Sequence, residues 1–349
     1  VTLFFAIVPK VAALTVFIRF LYVPFVTLID QWQVIIIFLS LASMIFGAIA
    51  AIGQRNLKRL MAYSSIGHMG YALAGLAVGT NSGIQNSIIY INGDFKPLAE
   101  AKISVLDQGF LLGDAVFDVV SAWKGYIFKL DEHLDRFEDS LRATRMNCSL
   151  DKEGWSKAII ETVKLNNLQD ASIRFIATRG ISKDVVSDPR DNQPTEIIWV
   201  APYIFLADQA GRSEGIKLMI SHLRGFTPDT LDPRYKCVDR LHYQLAKMEA
   251  LDAGYDDLIW LDNNGYVAEG PASNIFVIKN GVLYTPGDGI LRGITRQVFI
   301  DLARSINVEV QLCNISTFDL YSADEIFTTS TAGGALPIKE VSGRKIKNA

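Results

Sequence analysis

The sequence predicts an α+β domain of two lobes preceded by an all-α membrane segment. Charge is the first observation. Up to Gly93 the only charged residues are Lys10, Arg19, Asp30, Arg55, Lys58 and Arg59, although the 349-residue chain holds 34 Lys+Arg and 37 Asp+Glu. The second is periodicity: from Ser87 onward, short runs rich in β-branched and aromatic residues are interspersed with helical patterns, the signature of mixed architecture. The third is turn chemistry, with Asn264-Gly265 and Asn280-Gly281 as hairpin signals between apolar runs. The expected boundaries are a transmembrane fragment over 1–86, a small lobe over 87–206 and a large lobe over 207–349.

Within the membrane part, residues 2–25 and 32–52 are apolar for long enough to span, since about 20 such residues cross a bilayer as a helix. Residues 61–79 form a weaker third span, whose small and polar residues suit packing among other helices. The intervening QRNLKRL carries three basic residues, which places it on the cytoplasmic side. Lys10 lies mid-span beside Pro9. A snorkelling lysine is the ordinary explanation. Its central position points instead to a proton or ion pathway. The chain starts with Val, and its first apolar block exceeds a secretory h-region, so the N-terminus reads as a fragment boundary. The stretches FFAIVPKVAALTVFIRF and GQRNLKRLMAYSSIGHMGYALAGL resemble subunit N of bacterial NADH–quinone oxidoreductase, an antiporter-like protein of the inner membrane. The resemblance covers roughly residues 1 to 90. It implies that Lys10 belongs to a proton path and that His68 lies in a helix lining it; without the partner helices such a piece would not pump.

In the soluble part, SIIYING and DFKPLAEAKISVLDQGF read as short strands and turns. A helix starts with Asp131 as N-cap and buries Leu134, Phe137 and Leu141; a second carries Trp155, Ile159 and Val163. Residues 172–178 alternate like a half-buried strand, 196–201 form another, and the polar run 206–215 reads as a linker. In the second lobe a helix over 241–253 is stopped by Gly254. Strands follow in DLIWLD, YVAEG, NIFVI and VLYTP. A further helix opens near Thr295, its N-cap, and buries Val298, Leu302 and Ile306. The strand at 325–327 leads into TTSTAGG. The net charge of -3 gives no basic footprint for nucleic acid. Cys148, Cys237 and Cys313 are far apart and form no metal-type or redox-type pair, so no metal site is expected and the thiols read as ordinary core or surface groups.

Four pieces stand out for chemistry: Lys236 before a helix, Glu269 closing a strand, a GITR turn with Ile294 and Thr295 opening a helix, and TTSTAGG. Each alone is ordinary: a solvated lysine, a surface carboxylate, a capped helix start, a loop. Together they match what pyridoxal 5'-phosphate (PLP) needs. That cofactor takes a lysine amine, a partner for its pyridine nitrogen, and a phosphate cradle of helix N-terminal amides, hydroxyls and an arginine, for which Arg136 is a candidate. The segments KCVDRLHYQLAKMEALDAGYDDLIWLDNNGYVAEGPASNIFVIKNGVLYTP, ILRGITRQ, DEIFTTSTAGGALPI and LDQGFLLGDAVFDVVSAWKGYIFKLDEHLDRFEDS closely resemble the fold type IV PLP enzymes, the class IV aminotransferases, from about residue 87 to the end. The resemblance implies Lys236 as the Schiff-base lysine and proton shuttle. It implies Glu269 on the pyridine nitrogen, and Arg136, the backbone of Ile294 and Thr295, and Thr331 on the phosphate. Ala332 and Gly333 would lie beside the substrate. Ping-pong transfer between an amino donor and a 2-keto acid follows.

The substrate pocket is a mosaic. LDQGF, WKGYIFKLDEHLDRF, LDPRYK and TAGG look like the (R)-amine transaminases, whereas Phe117 is the branched-chain enzymes' residue at a place where others carry Tyr. The loop GISKDVVSDP has Asp184 and Val186 where D-amino-acid enzymes carry Arg and His. Leu241 replaces a branched-chain Tyr, and CVDRL resembles aminodeoxychorismate lyase. The expectation is a transaminase with a branched-chain-like or hydrophobic donor. The alternatives are a lyase of that type and a respiratory fragment carrying an inactive domain. The resemblance further implies a cytoplasmic homodimer and a final helix beyond VSGRKIKNA. With QRNLKRL in the cytoplasm, a crossing by 61–79 would deliver the enzyme to the side without PLP or keto acids. Either 61–79 does not span, or residues 87–91 mark a join of two unrelated reading frames; the join is the expectation.

Overall fold

The computed structural model describes residues 29–52, 54, 87–182 and 188–348. The sequence readings that fall on Lys10, His68, the spans 2–25 and 61–79, the basic residues Arg55, Lys58 and Arg59, and Asp184 and Val186 lie outside the described residues. The chain divides into two compact units, Val1–Gly83 and Ile84–Ala349. In the first, helix α1 (Ile29–Ile52) contains Val34–Ile52, a 19-residue stretch long and apolar enough to cross a membrane and the one such candidate among the described residues.

In the second unit, alternation builds the small lobe. Strand β3 (Ala115–Trp123) buries Val116, Asp118, Val120 and Ala122, every second residue, on one face. With β1 (Ile88–Ile91), β2 (Asp94–Pro97), β4 (Tyr126–Ile127), β5 (Ala171–Thr178) and β6 (Thr195–Pro202) it forms an antiparallel sheet of order β2-β1-β6-β5-β3-β4. A short helix, α2 (Gln108–Leu112), precedes β3. Helices α3 (Leu130–Thr144) and α4 (Lys152–Asn166) pack on the sheet. The Phe137 ring meets Trp155 and Phe175 edge-on at 5.1 and 4.9 Å, and all three are buried; each such side chain contributes roughly 1.5–3 kcal/mol. Leu134, Phe137 and Leu141 form the buried face as expected. The expected N-cap does not hold. The cap position is Lys129, in left-handed conformation, and Asp131 sits inside the first turn. Phe128 still donates to Ser121 O in the β3–β4 hairpin, so a single residue separates hairpin from helix. Asp131 and Glu132 then favour the helix start through its dipole.

The connection after β6 contains α5 (Gln209–Glu214), capped by Asp208, whose side chain accepts from Gly211 N–H. The run expected as a bare linker is thus partly helical. The large lobe is a mixed sheet of order β12-β11-β10-β13-β14-β7-β8, with β9 on β10 and β15 on β14. Its strands are β7 (Ile216–Arg224), β8 (Asp257–Leu261), β9 (Glu269–Gly270), β10 (Ser273–Lys279), β11 (Val282–Thr285), β12 (Val310–Leu312), β13 (Glu325–Ser330), β14 (Gly334–Val341) and β15 (Arg344–Lys345). Helix α6 (Leu241–Asp252) ends before Gly254, at φ +80°. Asn280 and Gly281 both take positive φ in the tight β10–β11 turn. At 262–266 the turn forms, but Asp262 organises it by accepting from Asn264 and Tyr266 amides, and only a Leu261–Val267 bridge follows.

Helix α7 (Ile294–Ser305) corrects two expectations. Its N-cap is Gly293, not Thr295. Its buried residues are Arg296, Ile300 and Ala303, whereas Leu302 and Ile306 are exposed. The buried Arg296 sets this phase by donating to Pro286 O (2.8 Å) and Thr285 Oγ1 (3.2 Å), which turns Ile300 and Ala303 onto Phe276 and Leu283. A last short helix, α8 (Thr317–Tyr321), carries a Ser316–Asp319 capping box.

Candidate active site

The segment bearing Lys236 docks against the start of β3. Phe117 N–H donates to Lys236 O (2.9 Å), Val238 N–H donates to Ala115 O (2.8 Å), and Cys237 bridges Val116. A large-lobe residue is thereby tied to the central small-lobe sheet, with Lys236 Nζ 5.1 Å from the centre of the Phe117 ring. Burial, helped by the Arg136 charge, lowers the Lys236 amine to about 7, against the attraction of Asp118.

Glu269, expected to close a strand, instead opens the two-residue β9 and is buried. Its Oε2 accepts from Asn274 Nδ2 and from Leu291 N–H, both at 3.0 Å; among the described residues nothing donates to Oε1. Burial raises its carboxyl to about 7, although the Leu291 amide and the charges of Arg240, Lys236 and Arg136 oppose the rise. Gly293 is needed here for space. A Cβ at that position would stand 2.0 Å from Asn274 Oδ1, the side chain that holds Glu269. Glu269 also lines a partly open pocket with Cys237, Arg240, Tyr243, Trp260 and Phe226.

Arg136 comes from α3 of the small lobe. Nε and Nη2 donate to Asp118 at 2.8 Å each, and Nη1 reaches Arg292 O at 3.1 Å, beside the start of α7. Asp118 is fully buried and meets His133 Nδ1 at 2.9 Å. Burial works against its charge, but Arg136 and His133 hold its carboxyl well below the usual range. Ile294 and Thr295 open α7 with no side chain capping the helix start, so first-turn amides and a guanidinium are neighbours, an arrangement suited to phosphate. Thr331, Ala332 and Gly333 form the turn between β13 and β14. Thr329 Oγ1, two residues earlier, is buried without a partner among the described residues, and Thr329 lies opposite Asn274 in the sheet.

The structure brings Lys236, Glu269, Arg136 and Phe117 into one electrostatically coupled site, with Ile294 next to the Arg136 contact. The described contacts do not link Thr331, Ala332 or Gly333 directly to these side chains. The donor set fits PLP: an amine, a buried carboxylate with an open oxygen, and a cationic helix start.

Residues 115–341 match the sequence model of the Amino-transferase class IV family. The chain belongs to the class IV aminotransferases. It is an enzyme of the PLP-dependent aminotransferase class. It is 41% identical over 263 residues to a putative branched-chain-amino-acid aminotransferase of Methanocaldococcus jannaschii, covering 74% of this chain and 90% of that protein. The solved T.th. branched-chain amino acid aminotransferase with pyridoxamine 5'-phosphate is similar at 33% identity with a TM-score of 0.71, over 76% of this chain and 88% of that one. Residues 1–93 match a different model, NADH:quinone oxidoreductase/Mrp antiporter, TM. Subunit N of NADH-quinone oxidoreductase from Pelagibacter ubique is 83% identical over 92 residues, which is 26% of this chain and 20% of that subunit.

Several groups at the aminotransferase site escaped the sequence reading. Asp118 and His133 hold Arg136 in place. Arg240 lies 5.4 Å from Phe117 and 4.2 Å from Tyr243, and Arg174 lies 5.3 Å from Phe117. Asp118 had a visible signal, a carboxylate at an inward position of an otherwise apolar strand, which demands a buried cation.

Proposed function

We propose that the chain transfers an amino group from a branched-chain or other hydrophobic donor to a 2-keto acid. Lys236, Glu269 and Arg136 carry the roles that the family resemblance gives them. When bound, PLP supplies an aldehyde for the Lys236 amine and a ring that accepts electrons from the substrate carbon. Lys236, near 7, is partly neutral at physiological pH and can take a proton from that carbon and return one. Glu269 would hold the pyridine nitrogen, with Asn274 and the Leu291 amide fixing its Oε2. Arg136, the Ile294 and Thr295 amides and Thr331 would hold the phosphate, and Ala332, Gly333 and Phe117 would border the substrate. Phe117 offers a hydrocarbon face with no hydroxyl, which favours an apolar side chain.

The observation that carries this reading is the enclosure of Lys236 and Glu269 in one site, both shifted to near neutrality by burial. The test is borohydride reduction of the PLP-loaded chain followed by peptide mapping, with a donor screen. Label on Lys236, and faster turnover of L-leucine, L-valine or a hydrophobic (R)-amine than of D-alanine, are expected. Label on another lysine, or preference for D-alanine, refutes the assignment.

The enzyme part is assigned to the cytoplasm, where its substrates are, and residues 1–86 to the membrane with no share in transamination. A homodimer fits the exposed apolar side chains of Val105, Leu106, Phe110, Leu111 and Leu112 around α2. The domain bounds 1–86, 87–206 and 207–349 belong to the same reading, supported by matches of the two parts to different families.

A further inference from the structure

The strap that leaves β6 runs over the β13–β14 turn. The Tyr203 hydroxyl donates to Thr331 O at 3.2 Å, and Leu206 N–H donates to Ala332 O at 3.3 Å. The Gly333 backbone amide faces the same phenolic oxygen. The turn needs outside support. Gly333 and Gly334 sit at φ +121° and +68°, and within the turn Ala332 N–H bonds the Ser330 hydroxyl at 3.1 Å. Two consecutive glycines in such conformations give the backbone wide freedom unless other contacts restrict it.

The ring carrying that hydroxyl is itself anchored in the small lobe. Tyr203 meets Trp123 and Phe205 edge-on at 5.4 and 5.1 Å, and the Arg212 guanidinium covers Phe205 at 3.7 Å. Trp123 ends β3, the strand that presents Phe117 and Asp118. One face of the site and the turn are thus joined through one phenol: ring on the small lobe, hydroxyl on the large-lobe turn.

We infer that Tyr203 is a positioning residue for transamination, its hydroxyl fixing the Thr331–Ala332–Gly333 turn at the place where a bound carboxylate substrate meets it. The inference rests on the reading that sets Ala332 and Gly333 beside the substrate. It differs from a packing role, because the ring contacts alone would survive loss of the hydroxyl. Small misplacements of a substrate-bordering group are costly, up to about a hundredfold. A single hydrogen bond at one remove should cost about five- to twentyfold in substrate binding.

The experiment uses the full chain in detergent, loaded with PLP, unsubstituted and as Tyr203→Phe. Calorimetric titration with 4-methylvalerate, an unreactive carboxylate, measures binding without turnover; steady-state kinetics give KM and kcat with L-leucine. The expected result is weaker 4-methylvalerate binding and higher KM, both by about five- to twentyfold, with kcat within about twofold and an unchanged thermal midpoint. Unchanged binding and KM overturn the inference alone. So does a loss of binding that tracks a fall in thermal midpoint, because the hydroxyl then serves only the fold. No transamination by the unsubstituted chain overturns both this inference and the reading beneath it.

Discussion

Replacing Glu269 by Gln separates the two consequences of burying this carboxyl. Gln keeps the shape, and its carbonyl oxygen can still accept from Asn274 and Leu291, which now meet Oε2 at 3.0 Å. Burial lifts the carboxyl from 4.5 to about 7. An acid raised in the fold holds its proton more tightly when folded. Its stabilising contribution is therefore complete below 4.5 and is lost as pH climbs through about 7. Each tenfold gain in proton affinity corresponds to about 1.4 kcal/mol, so the loss is at most about 3 kcal/mol. Gln does not titrate. In the cofactor-stripped chain, Glu269→Gln should unfold at nearly the same temperature as the unsubstituted chain at pH 5. At pH 8 it should unfold higher, by roughly 5–10 °C at the usual few degrees per kcal/mol for a domain of this size. The PLP-loaded variant should show the opposite sign in activity: turnover falls on the order of 10²-fold while PLP occupancy changes little, since phosphate contacts dominate cofactor binding. Differential scanning calorimetry at the two pH values and PLP absorbance titration read both. Parallel midpoints at pH 5 and pH 8 would refute the burial argument; equal losses of PLP affinity and rate would refute the role on the pyridine ring.

Asp118→Asn should weaken PLP binding at least tenfold and destabilise the chain by about 3–5 kcal/mol, because it strips the charge partner from Arg136 and His133 in a buried place; fluorescence titration of PLP and chemical denaturation check this, and unchanged affinity would remove Arg136 from the phosphate site. A chain beginning at Gln85 should be soluble and bind PLP without residues 1–84, as ultracentrifugation and the visible spectrum would show; loss of PLP binding on that truncation would mean that the membrane part supports the enzyme.

Much of this was legible from residues whose neighbours in sequence determine their surroundings. Alternation in β5 foretold its buried face, and Asn280-Gly281 foretold its turn, because both signals act within a few residues. The phase of α7 was not legible. It depends on Arg296 reaching a carbonyl oxygen ten residues away and a hydroxyl oxygen eleven residues away, and a buried arginine reads in sequence as a surface one. The helix at 209–214 was hidden because Asp208, a capping residue, also belongs to the vocabulary of linkers. At the site, Lys236, Glu269 and Arg136 were visible as family motifs. Asp118, Arg240 and Tyr203 act through partners distant in sequence, 18 residues away for Asp118 with Arg136 and 128 for Tyr203 with Thr331.

Charge balance connects these residues. Arg136 and Arg240 both depress the Lys236 amine, while Asp118 and Glu269 oppose them. Asp118 is already committed to Arg136 and His133, and Glu269 is half-protonated near neutral pH because burial outweighs its cationic neighbours. Arg174 adds a further positive group, its own charge disfavoured by burial and by Arg240. The described site thus carries more fixed positive than negative charge in a place poorly served by water, an arrangement that favours an anionic occupant. A phosphate at the start of α7 would lie nearest Arg136 and would offset the charge that holds Lys236 low. The amine would then rise in its capacity to accept a proton as the cofactor's anionic end settles. Binding at one end of the site and basicity at the other are coupled through Arg136, so the Asp118→Asn variant should change the pH dependence of turnover as well as PLP affinity.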